Sequence, residues 1–145
     1  MLDIAKDLLS EGKIILPKKV ITSLSFEGKG VEEKNLSEVN ENEMILDQHL
    51  SDEMYRTISL AKTILWNGPL GVFENPIFEI GTKNLSTAVA ESDAYSIAGG
   101  GETITAINKY IGPDDVSYIS TGGGAFLEFM EGKELPSIQA LNLKI

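Results

Sequence analysis

The chain has 145 residues, a formal net charge of −10 and no cysteine. Its length allows one domain with a sizeable core, and the lack of cysteine excludes disulfides and thiolate catalysis. The negative charge argues against nucleic-acid binding, and no apolar run approaches the roughly 20 residues of a membrane span. The N-terminus lacks the basic start of a signal peptide, so we expect a cytoplasmic protein.

The first third of the chain predicts one helix, one strand and an irregular segment. An apolar stripe over residues 2–9 predicts a first helix. Residues 13–17, KIILP, predict a buried strand stopped by proline. Residues 22–43 are polar and acidic and predict loops, with one strand near Val31. Ser51, followed by two acidic residues, predicts the N-cap of the next helix.

The rest of the chain alternates β-rich runs with helical patterns. Strands are predicted at residues 63–66, 95–98 and 116–120, and each is followed by a helix with an apolar stripe. Because strands that alternate with helices form βαβ units, this order predicts a parallel α/β sheet.

The last two predicted strands both end in three glycines that precede a helix. These are Gly99, Gly100 and Gly101 in the first case and Gly122, Gly123 and Gly124 in the second. Glycine lets a phosphate approach the backbone, and a helix N-terminus offers free N–H groups. A tight turn is the alternative interpretation of either cluster, but two clusters of one type favour phosphate binding. We expect them side by side at the carboxyl edge of the sheet.

Neither cluster is a Walker A loop or a dinucleotide-binding fingerprint, and the other candidate residues are less specific. The only histidine, His49, is expected in a solvated loop, and Trp66 is expected in the core. Glu74 fits a helix cap or a surface position. Glu102 follows the first glycine cluster, where a carboxylate either stabilises the helix dipole or binds a metal beside phosphates.

Four segments resemble phosphoglycerate kinases in sequence, order and spacing. They are WNGPLGVFE (66–74), FEIGT (78–82), GGGETITAI (99–107) and STGGGAFLEFMEGKELPSIQAL (120–141). The resemblance implies a parallel-sheet, Rossmann-like three-layer α/β/α fold that is incomplete relative to the family's full domain. Residues 1–145 would then be part of the C-terminal nucleotide-binding domain.

The resemblance also implies roles for individual residues in binding ADP or ATP. Pro69 and Val72 would line the adenine slot, Asn67 would approach the phosphates, and Glu74 would accept hydrogen bonds from the ribose. Residues of the first glycine turn would receive the nucleotide phosphates, namely Gly99, Gly100, Gly101 and Thr103.

The remaining implied roles concern the metal and the group in transfer. Glu102 would occupy the Mg²⁺ position. The catalytic positions would be Gly122, Gly123 and Gly124, whose amides would face the transferring phosphoryl group.

The sequence departs from the family pattern in three places. Glu102 replaces the usual aspartate, Phe126 replaces a serine, and residues 47–52 lack the glycine and proline of the family's DIGPxT segment. That last change alters the local turn beside the adenine wall that the resemblance implies near Ile45 and Leu46.

The family's N-terminal lobe, with its basic 3-phosphoglycerate site, has no counterpart in these residues. We therefore expect no catalysis by the isolated chain, 3-phosphoglycerate binding only with the missing lobe, and self-association through unpaired strands. Two alternatives stay open. One is a non-catalytic nucleotide-binding module, and the other is a structural or interaction remnant.

Overall fold

In the computed structural model, which describes residues 2–142, the chain divides into two compact units. The first unit comprises Met1–Ile58 and Leu70–Leu85, and the second comprises Ser59–Pro69 and Ser86–Ile145. Each unit contains one three-stranded sheet. Within residues 2–142, no helix combines the length and the apolar character needed to cross a membrane.

The sheet of the first unit is antiparallel. Its strands are β1 (Lys19–Ser23), β2 (Glu32–Asn35) and β3 (Met44–Gln48), in the order β2-β1-β3. β1 is the central strand, and the Val-Ile-Thr sequence at its centre suits a buried position because β-branched side chains pack well on a pleated surface. Ile21, Leu46 and Phe78 form the core of this unit, and Met44, Val72 and Ile80 pack against them.

Two helices precede and follow this sheet in the chain. α1 spans Leu2–Ser10, as the apolar stripe predicts, and α2 spans Asp52–Leu60. The Ser51 hydroxyl accepts the backbone N–H of Met54 at 3.3 Å, so the predicted N-cap is confirmed.

The strand predicted at residues 13–17 is wrong. This segment has no regular secondary structure, and Ile14 and Leu16 are 42% and 50% exposed. The strand lies at residues 19–23 instead, because that segment finds ladder partners on both sides. Pro17 has no N–H to donate to a ladder. The strand expected near Val31 is confirmed as β2, which begins at Glu32.

The sheet of the second unit is parallel, with the order β4-β5-β6. Its strands are β4 (Thr63–Asn67), β5 (Tyr95–Gly99) and β6 (Tyr118–Ser120), which confirms the three strands predicted for this part of the chain. Three helices of the second unit are α4 (Gly101–Tyr110), α5 (Gly124–Met130) and α6 (Pro136–Asn142), and α3 (Ile80–Ala90) begins in the first unit and ends in the second. A parallel sheet flanked by helices is the expected architecture, an incomplete Rossmann-like domain.

Side chains alternate between the two faces of the parallel sheet. Trp66 is 4% exposed and Ala98 is fully buried, and the register pairs these two residues on one face. The opposite face carries Tyr95, Ile97 and Gly99 from β5, and Tyr95 is 56% exposed. Trp66 is therefore a core residue, as predicted.

Candidate functional site

The first glycine turn connects β5 to α4. β5 ends at Gly99, Gly100 is the N-cap, and α4 begins at Gly101. Gly100 has φ 93°, a conformation that a residue with a side chain adopts only with strain. A Cβ on Gly101 would meet no atom within 4 Å, so the space beside the first turn of α4 is open. Such a turn can present backbone N–H groups to an anion.

The loop after β4 is held to this turn by two hydrogen bonds. The Asn67 side-chain amide donates to the Gly99 carbonyl at 3.0 Å, and the Gly68 N–H donates to the Thr103 hydroxyl at 2.8 Å. Thr103 is fully buried, so its hydroxyl serves as a tether for the loop. Trp66 also braces the loop, because its Nε1 donates to the Gly68 carbonyl at 2.9 Å.

The second glycine turn connects β6 to α5. The Ser120 hydroxyl accepts the Gly122 N–H at 3.3 Å, and Gly123, the N-cap, has φ 52° and ψ −126°. A Cβ on Gly123 or Gly124 would meet no atom within 4 Å. The backbone of this turn is therefore as open as that of the first.

The two turns lie next to each other at the carboxyl edge of the sheet. In the parallel pair of β5 and β6, Gly99 is the register partner of Ser120, so both strands end at the same level. The side-by-side arrangement predicted from the sequence is confirmed. In an open α/β sheet, this edge is where ligands bind.

The site residues predicted from the sequence fall into both units. Asn67, Pro69 and the two glycine turns belong to the second unit, and Val72 and Glu74 belong to the first. Val72 packs against the core of the first unit, and its N–H donates to the Leu46 carbonyl at 2.9 Å. Glu74 is exposed.

Glu102 is exposed in the first turn of α4, directly after the open backbone at Gly101. Among the described residues, no group of three or more metal-ligating side chains is found. Mg²⁺ is commonly held by one or two carboxylates together with substrate phosphates and water. One exposed carboxylate beside an open helix N-terminus fits that mode of binding.

Asp47 is a buried carboxylate whose importance the sequence did not indicate. It is fully buried at the end of β3, and both of its oxygens accept the Gly81 N–H, at 3.1 and 3.2 Å. Burial raises the pKa of Asp47 from its ordinary value of 3.8, and hydrogen bonds from the backbone of Gly81, Gln48 and Ile80 oppose this rise.

Two glycines make room for this carboxylate. A Cβ on Gly71 would overlap Asp47 Oδ1, and a Cβ on Gly81 would lie 2.5 Å from the same atom. The buried Thr82 hydroxyl accepts the N–H groups of Leu70 and Gly71 at 3.1 and 3.2 Å. Asp47 and Thr82 thus shape the chain around residues 70–71. The signals that could have indicated this are the FEIGT segment, which contains Thr82, and the aspartate that begins the segment similar to DIGPxT.

The departure from the family pattern at residues 47–52 leaves β3 intact. Asp47 keeps its backbone partners, Leu46 lies in the core of the first unit, and Ile45 is 49% exposed. The segment that follows leads to the N-cap of α2 at Ser51. His49 is half-buried, with Nε2 at 3.2 Å from Glu33 Oε2.

Parallel strands that end in glycine turns and lead into helices define an α/β protein of the Rossmann-like class. The phosphoglycerate kinase family model matches residues 1–133. The phosphoglycerate kinase of Vibrio campbellii is 47% identical over 99% of this chain and 38% of its own length. That of Psychrobacter sp. is 45% identical over 97% of this chain and 38% of its own length.

Solved structures agree with the sequence comparisons. The phosphoglycerate kinase of Coxiella burnetii has a TM-score of 0.84 and 42% identity, over 95% of this chain and 38% of that one. The enzyme of Pyrococcus horikoshii has a TM-score of 0.76 and 35% identity, over 97% of this chain and 36% of that one. The chain belongs to the phosphoglycerate kinase family, and it spans less than two fifths of the length of these relatives.

Proposed function

We propose that the chain is the ADP/ATP-binding segment of a phosphoglycerate kinase, which transfers a phosphoryl group between 1,3-bisphosphoglycerate and ADP in glycolysis. Residues 1–145 would form part of the C-terminal nucleotide-binding domain of a cytoplasmic enzyme. The observation that carries this proposal is the register of Gly99 with Ser120, which brings two open glycine turns to one edge of a parallel sheet.

The backbone of the two turns supplies the hydrogen-bond donors in this proposal. Amides of the first turn, at residues 99–103, bind the nucleotide phosphates. Amides of residues 122–124 face the phosphoryl group in transfer, where donors already in place stabilise the charge of the transition state. Asn67 holds the Gly99 carbonyl and therefore keeps the first turn in shape.

The other roles in nucleotide binding are proposed from the family resemblance. Pro69 and Val72 contact the adenine, and Glu74 accepts hydrogen bonds from the ribose. Glu102 would hold Mg²⁺, which would neutralise phosphate oxygens. That neutralisation is needed because the chain carries a net charge of −10 and has no lysine or arginine in residues 94–106 or 117–129.

Nucleotide titration tests the binding proposal. Calorimetry with ADP and ATP, each with Mg²⁺ and with EDTA, should give saturable binding that Mg²⁺ strengthens. The matched variant is Gly101→Asp, which places a negative charge at the open N-terminus of α4 and should weaken binding of both nucleotides in EDTA, where no cation offsets the repulsion. Equal heats for the variant and the unmodified chain would contradict the proposed phosphate site.

We further propose that a polypeptide of these 145 residues does not catalyse the reaction alone. The reason is that 3-phosphoglycerate binding is assigned to the lobe for which the chain has no counterpart, and in-line transfer requires both substrates to be positioned. A coupled assay on purified chain should show no turnover dependent on 3-phosphoglycerate. A rate in the range of ordinary kinases, roughly 1–100 s⁻¹, would contradict this.

A second candidate function is protein interaction, and exposed aromatic side chains favour it. Tyr95, Tyr118 and Phe129 are 56%, 54% and 59% exposed. In the described sheet, β4 and β6 are outer strands, and outer strands can pair with another chain. Self-association should therefore rise with concentration in light scattering. Tyr118→Lys should reduce it more than Asn108→Lys, which adds the same charge on an exposed position of α4.

A further inference from the structure

Gly99 and Phe126 are in direct contact, and the contact joins the two glycine turns. A Cβ on Gly99 would lie 2.5 Å from Phe126 Cδ1 and 2.6 Å from Cε1, so the edge of the ring occupies the space where a side chain would be. Gly99 is the last residue of β5, and Phe126 is the third residue of α5. The missing side chain of Gly99 therefore lets α5 pack closely on the sheet.

The position of Phe126 on the sheet follows from the strand alternation. Tyr95, Ile97 and Gly99 share one face of β5, and α5 lies against that face. The ring lies at a cavity of about 340 Å³ lined by Tyr95, Ile97, Tyr118, Phe126, Phe129 and Met130. Phe126 is half-buried, whereas Phe129 in the same helix is 59% exposed.

The backbone around Phe126 connects the ring to the second glycine turn. The Phe126 N–H donates to the Gly123 carbonyl at 3.2 Å, and a Cβ on Gly122 would lie 3.6 Å from the Phe126 nitrogen. On the other side, the Gly99 carbonyl is held by Asn67. Phe126 thus contacts the first glycine turn with its ring and is hydrogen-bonded to the second turn through its backbone.

We propose that Phe126 is a positioning residue that couples the two glycine turns, so that occupation of the first turn changes the backbone of the second. The ring edge lies where a Gly99 Cβ would be, so movement of the Gly99 backbone towards α5 would meet the ring. The ligand that engages the first turn is a nucleoside diphosphate, and that part of the inference rests on the proposed function.

The first test of this coupling needs no ligand. Gly99→Ala should shift the NMR resonances of residues 122–124, because the new methyl group must displace the ring. The double variant Gly99→Ala/Phe126→Ala has space for the new methyl group. Its resonances at residues 122–124 should therefore match those of the single variant Phe126→Ala. If Gly99→Ala unfolds the chain, the ADP test described next decides the coupling. The proposal would be overturned if Gly99→Ala shifted the resonances of residues 122–124 equally in chains with and without the Phe126 ring.

The second test uses Mg-ADP as the probe. In the unmodified chain, ADP should shift the resonances of residues 100–103 and of residues 122–124. Phe126→Ala should keep the first response and lose the second, Phe126→Leu should retain both, and the control Phe129→Ala should resemble the unmodified chain. A second response that survives in Phe126→Ala would overturn the coupling. A chain that binds no ADP refutes the proposed function, and the ligand-free test then decides the role of Phe126.

Discussion

The buried carboxylate of Asp47 and the backbone N–H of Gly81 form a bifurcated hydrogen bond, with the nitrogen 3.1 and 3.2 Å from the two oxygens. Gly81 is the second residue of α3, so the carboxylate lies at the positive end of that helix. The bond therefore ties the end of β3 to the start of α3 within the first unit.

Removing this carboxylate should destabilise the chain. Asp47→Ala leaves the Gly81 N–H without its acceptor in a buried position, and a lost buried partner costs about 1–3 kcal/mol. We expect a decrease of that size in the free energy of unfolding, measured by urea denaturation. Asp93→Ala, which removes an exposed carboxylate, is the matched control and should have little effect. Equal losses for both variants would contradict a structural role for Asp47.

The stability of the chain should also depend on the ionisation of Asp47. Because burial raises its pKa, the folded state binds a proton more tightly than the unfolded state, whose pKa is near 3.8. The part of the stabilising contribution of Asp47 that depends on protonation is then complete below pH 3.8 and is lost as the pH rises through the raised pKa, whereas the acceptor for the Gly81 N–H is present in both ionisation states.

Asp47→Asn is the reference for this pH dependence because an amide does not titrate. The unfolding free energy of the unmodified chain minus that of the variant should be largest in acid and should fall as the pH rises above 3.8. Urea denaturation of both forms across this range measures the difference. A difference that grows with pH would indicate a lowered pKa in the folded chain and would contradict the expectation.

The parallel sheet could be predicted from the sequence because its signals are local. Each strand is a short apolar run, and two of the three are followed at once by glycines and an amphipathic helix. In the antiparallel sheet only the strand near Val31 was expected, and neither β1 nor β3 was predicted in its place. β2 has the sequence EEKN, and it carries Lys34, whose Nζ lies 2.6 Å from Glu43 Oε1. Pairings of this kind join distant polar segments, which hydrophobic periodicity does not reveal.

The glycine turns of the candidate site were also predictable, but the supporting contacts were not. Gly99 was expected at a phosphate, and in the structure the Phe126 ring occupies the space where a side chain of Gly99 would lie. Thr103 was likewise expected at a phosphate, and its hydroxyl accepts the Gly68 N–H from 35 positions earlier in the chain. Motif matching identifies the residue types, whereas these partners depend on the tertiary fold.

The tether between Thr103 and Gly68 can be tested by removing the hydroxyl while keeping the shape of the side chain. Thr103→Val should lower the free energy of unfolding by about 1–3 kcal/mol, because the Gly68 N–H loses its acceptor. Amide exchange at Gly68 should also become faster. Thr103→Ser keeps the hydroxyl and should preserve the slow exchange. The tether would be refuted if exchange at Gly68 were the same in both variants.

The final prediction concerns Glu102 and the metal. The acidic chain has no lysine or arginine in residues 94–106 or 117–129, so bound phosphates need a cation from solution. Glu102 is exposed one residue after the open backbone of Gly101. A carboxylate in that place can hold Mg²⁺ while the amides hold phosphate oxygens. If the Glu102 carboxylate only stabilises the helix dipole, its removal should change nucleotide binding equally with and without metal.

Calorimetric titrations of three forms with Mg²⁺ and with EDTA distinguish these roles. Glu102→Gln should weaken binding of Mg-nucleotide more than binding of metal-free nucleotide, because it removes the charge that attracts the cation. Glu102→Asp should keep or improve the preference for the Mg²⁺ complex, since Mg²⁺ requires near-ideal octahedral geometry and the shorter side chain is the family's usual one. Equal weakening of both forms by Glu102→Gln would reduce Glu102 to a partner of the helix dipole.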